Sequence, residues 1–205
     1  MKRIILIVLC GLALLACKRE KTGNQSQELQ NKISDSTAQN VEEKEINDWK
    51  GAYLDYMQNL DTTAYKTYAT CFIDDDTIPE LCLFGTSYAD GSIILSQYNK
   101  KVSALKCYWS PQYIEKQGLI ADGYAHGGTY GNLIYTLQNG TFKLILETKA
   151  VWNWEDAFIF YVNGEIVDTI QGNNVEDSCS IIQEQLNKMY YSKGESKALY
   201  IEDSF

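Results

Sequence analysis

The dipeptide Asn139-Gly140, set between NLIYTLQ (132–138) and TFKLILE (141–147), constrains the fold more than any other feature of the chain. Asn and Gly accept the consecutive positive φ angles of a type I′ turn, whose twist matches that of two antiparallel strands. The flanks alternate accordingly: Leu133, Tyr135 and Leu137 fall on one face, and Phe142, Leu144 and Leu146 form the matching face. The same logic places a turn at Asn163-Gly164, between AFIFYV and EIVDTI. A further hairpin joins SIILSQY (92–98) to VSALKCYW (102–109) through Asn99-Lys100-Lys101. From Lys66 onward the apolar period is two, which is the signature of a sheet.

Two segments depart from that period. Between Glu45 and Leu60, residues Ile46, Trp49, Tyr53, Tyr56 with Met57, and Leu60 recur at steps of three and four, one face of an amphipathic helix. Near the C-terminus, Glu176, Asp177 and Ser178 provide first-turn acids and a cap, and Cys179, Ile182, Leu186 and Met189 form the buried stripe of a second helix. The expected class is α+β: an antiparallel β-sheet of about seven or eight strands flanked by an N-terminal and a C-terminal helix.

The N-terminal stretch MKRIILIVLCGLALLAC has a basic start at Lys2 and Arg3 and an apolar run, shorter than the roughly 20 residues of a membrane-spanning helix. Leu14-Leu15-Ala16-Cys17 resembles the lipobox of bacterial lipoproteins. That resemblance implies a signal peptide over 1–16, cleavage before Cys17, and acylation of its thiol and amine with palmitate-type chains. Residues 17–44 then read as the lipidated cysteine and a disordered tether, polar and without aromatics, and 45–205 as a single globular α+β domain. The expected location is the cell envelope, with the domain outside the cytoplasm and the anchor in a bacterial membrane, the outer one by preference.

The whole chain carries a formal charge of −9, or −11 once Lys2 and Arg3 leave with the leader. Phosphate backbones reward clustered Lys and Arg, so nucleic acid is not an expected partner. Of the six cysteines, Cys10 leaves with the leader and Cys17 takes lipid. Cys71, Cys82, Cys107 and Cys179 remain, either as two disulfides in one of three connectivities or as small buried hydrophobes.

The stretch FIDDDTIPEL (72–81) holds three consecutive aspartates between two strands. It resembles the D-x-D-x-D-G-x-P-E-L loop of FG-GAP-like and VCBS-like secreted proteins, in which alternating aspartates ligate calcium. Asp74 and Asp76 match the middle and last aspartates, whereas Phe72 stands at the first and Thr77 at the glycine. The resemblance extends to Bacteroides-type secreted proteins and lipoproteins of gut bacteria, through WKGAYLDYMQNL, HGGTYGN, YTLQNGTFKLI and FYVNGEIVD. It implies a fold family without a general activity. Asp74, Asp76 and Glu80 are the candidate calcium ligands; they fall short of the six to eight oxygens that calcium takes. The other reading is a turn held by carboxylates accepting backbone N–H bonds, with Pro79 fixing its exit and no cofactor required.

His126, the single histidine, lies in the glycine-rich DGYAHGGTYGN, either as a site residue or in a strand connection. Trp152 and Trp154 in VWNWEDAF could stack on a ligand or cover an open sheet face. No nucleophile elbow accompanies His126, and acid pairs drawn from Asp74–Asp76, Glu80, Glu155 and Asp156 gain meaning only from a shared cleft. The leading expectation is a non-catalytic, membrane-anchored binding domain with a protein or glycan partner. The alternatives are a glycan-directed hydrolase and a toxin-neutralising or inhibitor lipoprotein.

Overall fold

A computed structural model describes residues 48–60, 63–108, 111–172 and 179–199, with a short strand at 203–204. Cys17, the leader, the tether, Ile46 and the cap residues Glu176–Ser178 lie outside the described residues. No helix among the described residues is long and apolar enough to cross a membrane.

The fold class is α+β and antiparallel throughout. Helix α1 (Asp48–Met57) precedes β1 (Tyr65–Cys71), β2 (Glu80–Gly85), β3 (Ser92–Tyr98) and β4 (Lys101–Cys107). Then follow β5 (Gln112–Ile114), β6 (Leu119–His126), β7 (Thr129–Gln138), β8 (Thr141–Trp152), β9 (Ala157–Val162) and β10 (Glu165–Gln171). Helix α2 (Ser180–Met189), a 3-10 turn (Tyr191–Lys193), β11 (Ser196–Ala198) and β12 (Asp203–Ser204) complete the described chain. The strands divide over two sheets rather than one: a smaller sheet in the order β12-β1-β2-β3-β4 and a larger one in the order β10-β9-β8-β7-β6-β5-β11.

The layers follow from strand alternation. In β2 and β3, Leu81, Leu83, Ile93 and Leu95 face α1, where Tyr53, Trp49 and Tyr56 cover them. The intervening Cys82 and Ile94 point the other way, against Ile120 and Leu137 of the larger sheet. Strands buried on both faces read as continuous apolar runs, and LCLF and IIL are those runs. Beyond the larger sheet, Ile182, Leu186 and Tyr190 pack on Ile134, Leu146, Phe158 and Phe160. The order is α1, smaller sheet, larger sheet, α2.

The predicted turns are present: Asn139 and Gly140 have φ of 49° and 65°, and Asn163 and Gly164 of 49° and 88°. The β3–β4 turn is shorter than expected, with only Asn99 and Lys100 (φ 49° and 64°) between the paired Tyr98 and Lys101. The hairpin at Asn139-Gly140 differs in one respect. Tyr135 pairs with Leu144 but Ile134 with Leu146, so Ile145 is an extra residue on β8. This bulge reverses the side-chain phase beyond it. Leu146 therefore joins the core beneath α2 instead of the face of Leu144, and Glu147 lies opposite Leu133 on the inner face.

The four described cysteines Cys71, Cys82, Cys107 and Cys179 are buried. Cys71, Cys82 and Cys107 share the core between the sheets, whereas Cys179 lies beneath α2 across the larger sheet. The cap position of α2 falls on Cys179 itself, without a side-chain cap bond.

Candidate functional site

The acidic stretch joins β1 to β2 as a hydrogen-bonded turn. Asp74 Oδ1 accepts the N–H of Asp76 at 3.2 Å, and Asp76 Oδ1 accepts that of Ile78 at 2.7 Å. These are consecutive Asx turns, in which a short carboxylate replaces a backbone acceptor. Glu80, only 1% exposed, accepts the N–H of Ile73 through Oε2 at 2.8 Å, while its Oε1 has no partner. Burial raises its pKa to about 8, and the charges of Asp74 and Asp76 add to the rise, against the Ile73 bond. A buried carboxyl without a cation keeps its proton at neutral pH.

Tyr53 of α1 donates to the Pro79 carbonyl at 3.0 Å, and its own ionisation is suppressed first by burial and then by Glu80 and Asp76. On the other side, Phe72 and Ile73 accept backbone bonds from Lys116 and Gly118. Among the described residues no three His, Cys, Asp or Glu side chains converge as metal ligands would. No calcium site is shown: one oxygen of each expected aspartate holds the turn.

His126 ends β6 and pairs with Thr129 across Gly127 and Gly128, whose φ values of 57° and 79° make a tight hairpin turn. Trp152 closes β8, donates its N–H to Gly128 at 2.8 Å, and packs with Phe158 at 5.1 Å between ring centres. Trp154 projects instead into solvent, 80% exposed, and adopts a φ of 63° unusual for so bulky a residue. The chain turns between the two tryptophans, so they are not a side-by-side pair. Asn153 secures this loop by accepting from Glu155 and Ala157 at 2.9 and 3.2 Å. The neighbouring acids Glu155 and Asp156 lie exposed on it.

A different set of residues lines a cleft of about 530 Å³ between β4 of the smaller sheet and β7 and β8 of the larger. Tyr88, Lys106 and Tyr108 form one wall; Tyr135, Leu144 and Glu147 belong to the other. Tyr88 is 70% exposed and Tyr108 59%, yet both stand on fixed backbone. The loop of Tyr88 is fastened by Asp90, whose Oδ2 accepts from the Ser87 N–H at 3.0 Å, Ser87 Oγ at 2.8 Å and Thr86 Oγ1 at 3.1 Å. These bonds, led by the Ser87 side chain, lower the Asp90 pKa. Gly91, at φ 68°, lies so close to the Cys107 carbonyl that a Cβ would sit 2.2 Å from it. Tyr108 donates its N–H to buried Asp122 at 2.8 Å, and its ring lies 5.2 Å from that of Tyr124.

Tyr124 lies across Gly131, where a Cβ would come within 2.2 Å of its ring. Burial first, then the Glu147 charge and a hydrogen bond with that carboxylate, raise its pKa. Tyr135 is pushed up to about 12 by burial, with Cys107 and Asp122 adding to the effect. Asp122, Leu133 and Glu147 stand in one row across β6, β7 and β8, the two acids separated by a single strand. Further along the same face, Lys149 Nζ lies 4.7 Å above the Tyr161 ring. The cleft thus offers aromatic faces, hydroxyls and the Glu147 carboxyl group on a rigid frame.

Sequence reasoning centred on tryptophan and the acid run did not single out these tyrosines. Tyr124 and Tyr135 alternate with aliphatics on inward-facing positions, and a tyrosine there is a signal that one end of the core meets water. The chain matches no family model, no curated protein and no solved structure.

Proposed function

We propose that the chain is a lipid-anchored, extracytoplasmic binding protein of a bacterial envelope, attached through Cys17 to the outer membrane. Its folded domain engages a ligand through the tyrosine cleft and performs no chemistry on it. The observation that carries this reading is the cleft itself: exposed Tyr88 and Tyr108 held by fixed backbone over about 530 Å³. Such a volume falls in the range of small-ligand sites, and exposed aromatics on a rigid frame lose little entropy on binding. The basic start, apolar run and Leu14-Leu15-Ala16-Cys17 support the anchor. FIDDDTIPEL serves as the joint between β1 and β2, and its likeness to calcium loops and gut-bacterial lipoproteins is one of lineage.

Two measurements test the proposal. Cells fed an alkyne analogue of palmitate should label the protein, and Cys17→Ser should abolish the label. A benzophenone amino acid in place of Tyr88 should form a light-dependent adduct in cells, which the same group in place of Ile181 on α2 does not form. Loss of either result breaks the corresponding half of the reading.

Asp122 and Glu147 favour a second reading, the glycan-directed hydrolase, because they are two carboxyl groups in one row of the larger sheet, and Glu147 lines the cleft. Release of reducing ends from an oligosaccharide, lost in Glu147→Gln, would establish it.

A further inference from the structure

If the tyrosine cleft is the binding site, its walls name the class of its occupant. Tyr88 and Tyr108 stand 70% and 59% exposed, and Leu144, 44% exposed, lies with Tyr135 on the opposite wall. An aromatic face carries the negative side of the ring quadrupole, so it attracts polarised C–H groups and, more strongly, cations. Burial first, then Cys107, Asp122, Tyr108 and Glu147, push Tyr135 up to about 12, so this ring meets an occupant as a neutral phenol.

The charges set the sign of that occupant. Glu147 is the one acid among the described lining residues. Lys106 also borders the cleft, but it pairs with Ile93 and so takes the α1 face; there, after the Ser87 and Thr86 bonds, its charge lowers the Asp90 pKa. Lys149, two residues beyond Glu147 on β8, turns its amine onto Tyr161 of β9, 4.7 Å from the ring centre. Both amines are directed elsewhere, which leaves the Glu147 carboxylate to a cation from outside. The chain's formal charge of −9 favours the approach of such an ion. A volume of about 530 Å³ gives room for carbon groups around the charge. We propose that the cleft binds a small organic ammonium ion, its charge beside Glu147 and its carbon groups against Tyr88, Tyr108 and Leu144.

The extra residue at Ile145 decides the sign. Without it, Leu146 would face the cleft and Glu147 would turn beneath α2, leaving tyrosines with no carboxylate beside them. Selectivity for a cation is therefore written in the register of one hairpin, not in a motif.

The test uses the full chain in a non-ionic detergent and an amine-free phosphate buffer. Choline is compared with neohexyl alcohol, its uncharged carbon analogue, and phenethylamine with phenethyl alcohol and phenylacetate. Titration calorimetry should give a Kd of about 1 mM or tighter for at least one of the two cations, equivalent to about −4 kcal/mol. The uncharged and anionic counterparts of that cation should bind at least about tenfold more weakly. Glu147→Gln should weaken the cation about tenfold. Tyr88→Ala and Tyr108→Ala, exposed positions that leave the core intact, should each weaken it about fivefold, equivalent to about 1 kcal/mol. Trp154→Ala, on another loop, should leave it unchanged.

The inference is overturned if neither cation binds at about 10 mM, a concentration tenfold above that Kd. A counterpart that binds as tightly as its cation overturns it equally, as does binding indifferent to Glu147→Gln. Should Glu147→Gln fail to fold, the two tyrosine variants decide, and binding indifferent to both overturns the inference. If neither cation binds but the light-dependent adduct at Tyr88 persists, the ammonium assignment falls and the binding module stands. If both are absent, both fall.

Discussion

The two ends of the space between the sheets have opposite characters. At the end where β2 begins, Ile73, Cys71, Cys82 and Ile94 close an apolar core, and the carboxyl of Glu80 there is 1% exposed. At the end where β2 leads into the Tyr88 loop, the same two sheets part over Tyr108, Tyr135 and Glu147. Both ends hold acids and aromatics; what differs is cover. A five-stranded sheet lies over a seven-stranded one, and at the latter end a cleft opens between β4 of the first and β7 and β8 of the second. Burial turns a carboxylate into a structural proton holder at one end, and partial exposure leaves Glu147 available as an acceptor at the other.

The largest expected effect concerns the closed end. Glu80 titrates at about 8 in the folded chain, against an ordinary value of 4.5. Below 4.5 both folded and unfolded chains carry the proton and stability is at its full value. Between 4.5 and 8 the unfolded chain has lost the proton while the folded chain retains it, so stability falls as pH rises, and above 8 the loss is complete. The fall is on the order of 5 kcal/mol, since each pH unit in that window contributes about 1.4 kcal/mol. Asp74, also raised by burial, acts with the same sign. Urea unfolding at pH 5 and pH 8 measures the loss, and Glu80→Gln should flatten it. An equal slope in wild type and Glu80→Gln would mean that general acid repulsion sets the pH dependence.

Side-chain truncation sharpens the contrast. Ile94→Ala, at a fully buried position between the sheets, should lower unfolding free energy by about 3 kcal/mol, the usual cost of a core cavity. Leu144→Ala, 44% exposed at the open end, should cost less than about 1 kcal/mol. Comparable losses would show that the open end is part of the load of the core.

Gly91→Ala probes how rigidly the open end is held. The added Cβ meets the Cys107 carbonyl and requires a positive φ, so about 2 kcal/mol of stability should be lost through the Tyr88 loop. Hydrogen exchange should rise over residues 85–91 and stay constant around the acidic turn. The smallest expected effect is that of calcium. Asp74 and Asp76 already hold the turn through backbone amides, so millimolar calcium should move the melting temperature by less than about 1 °C. A rise of several degrees, reversed by chelation, would make the closed end a metal site after all.

Much of this fold was legible because local chemistry decided it. Asn-Gly pairs fixed two hairpins, the steps of Trp49, Tyr53 and Tyr56 marked α1, and those of Cys179, Ile182 and Leu186 marked α2. The division into two sheets was not legible, since each hairpin signals only its own partner strand. LCLF and IIL did carry a hint: strands apolar on both faces need cover on both sides, which a single sheet with flanking helices also provides. The site was less legible than the fold. One extra residue at Ile145 moves Leu146 and Glu147 to opposite faces, and alternation alone predicts the reverse. The aspartate run drew attention by composition, yet one oxygen each of Asp74 and Asp76 is engaged in shaping their own turn.

The placement of the thiols gives the protein an internal gauge. Cys71, Cys82 and Cys107 lie between the sheets and Cys179 beneath α2, all buried. A maleimide reaches the first three when the two sheets part, and the fourth when the C-terminal helix lifts. Mass spectrometry of briefly alkylated protein therefore times the two openings separately, without introducing any label.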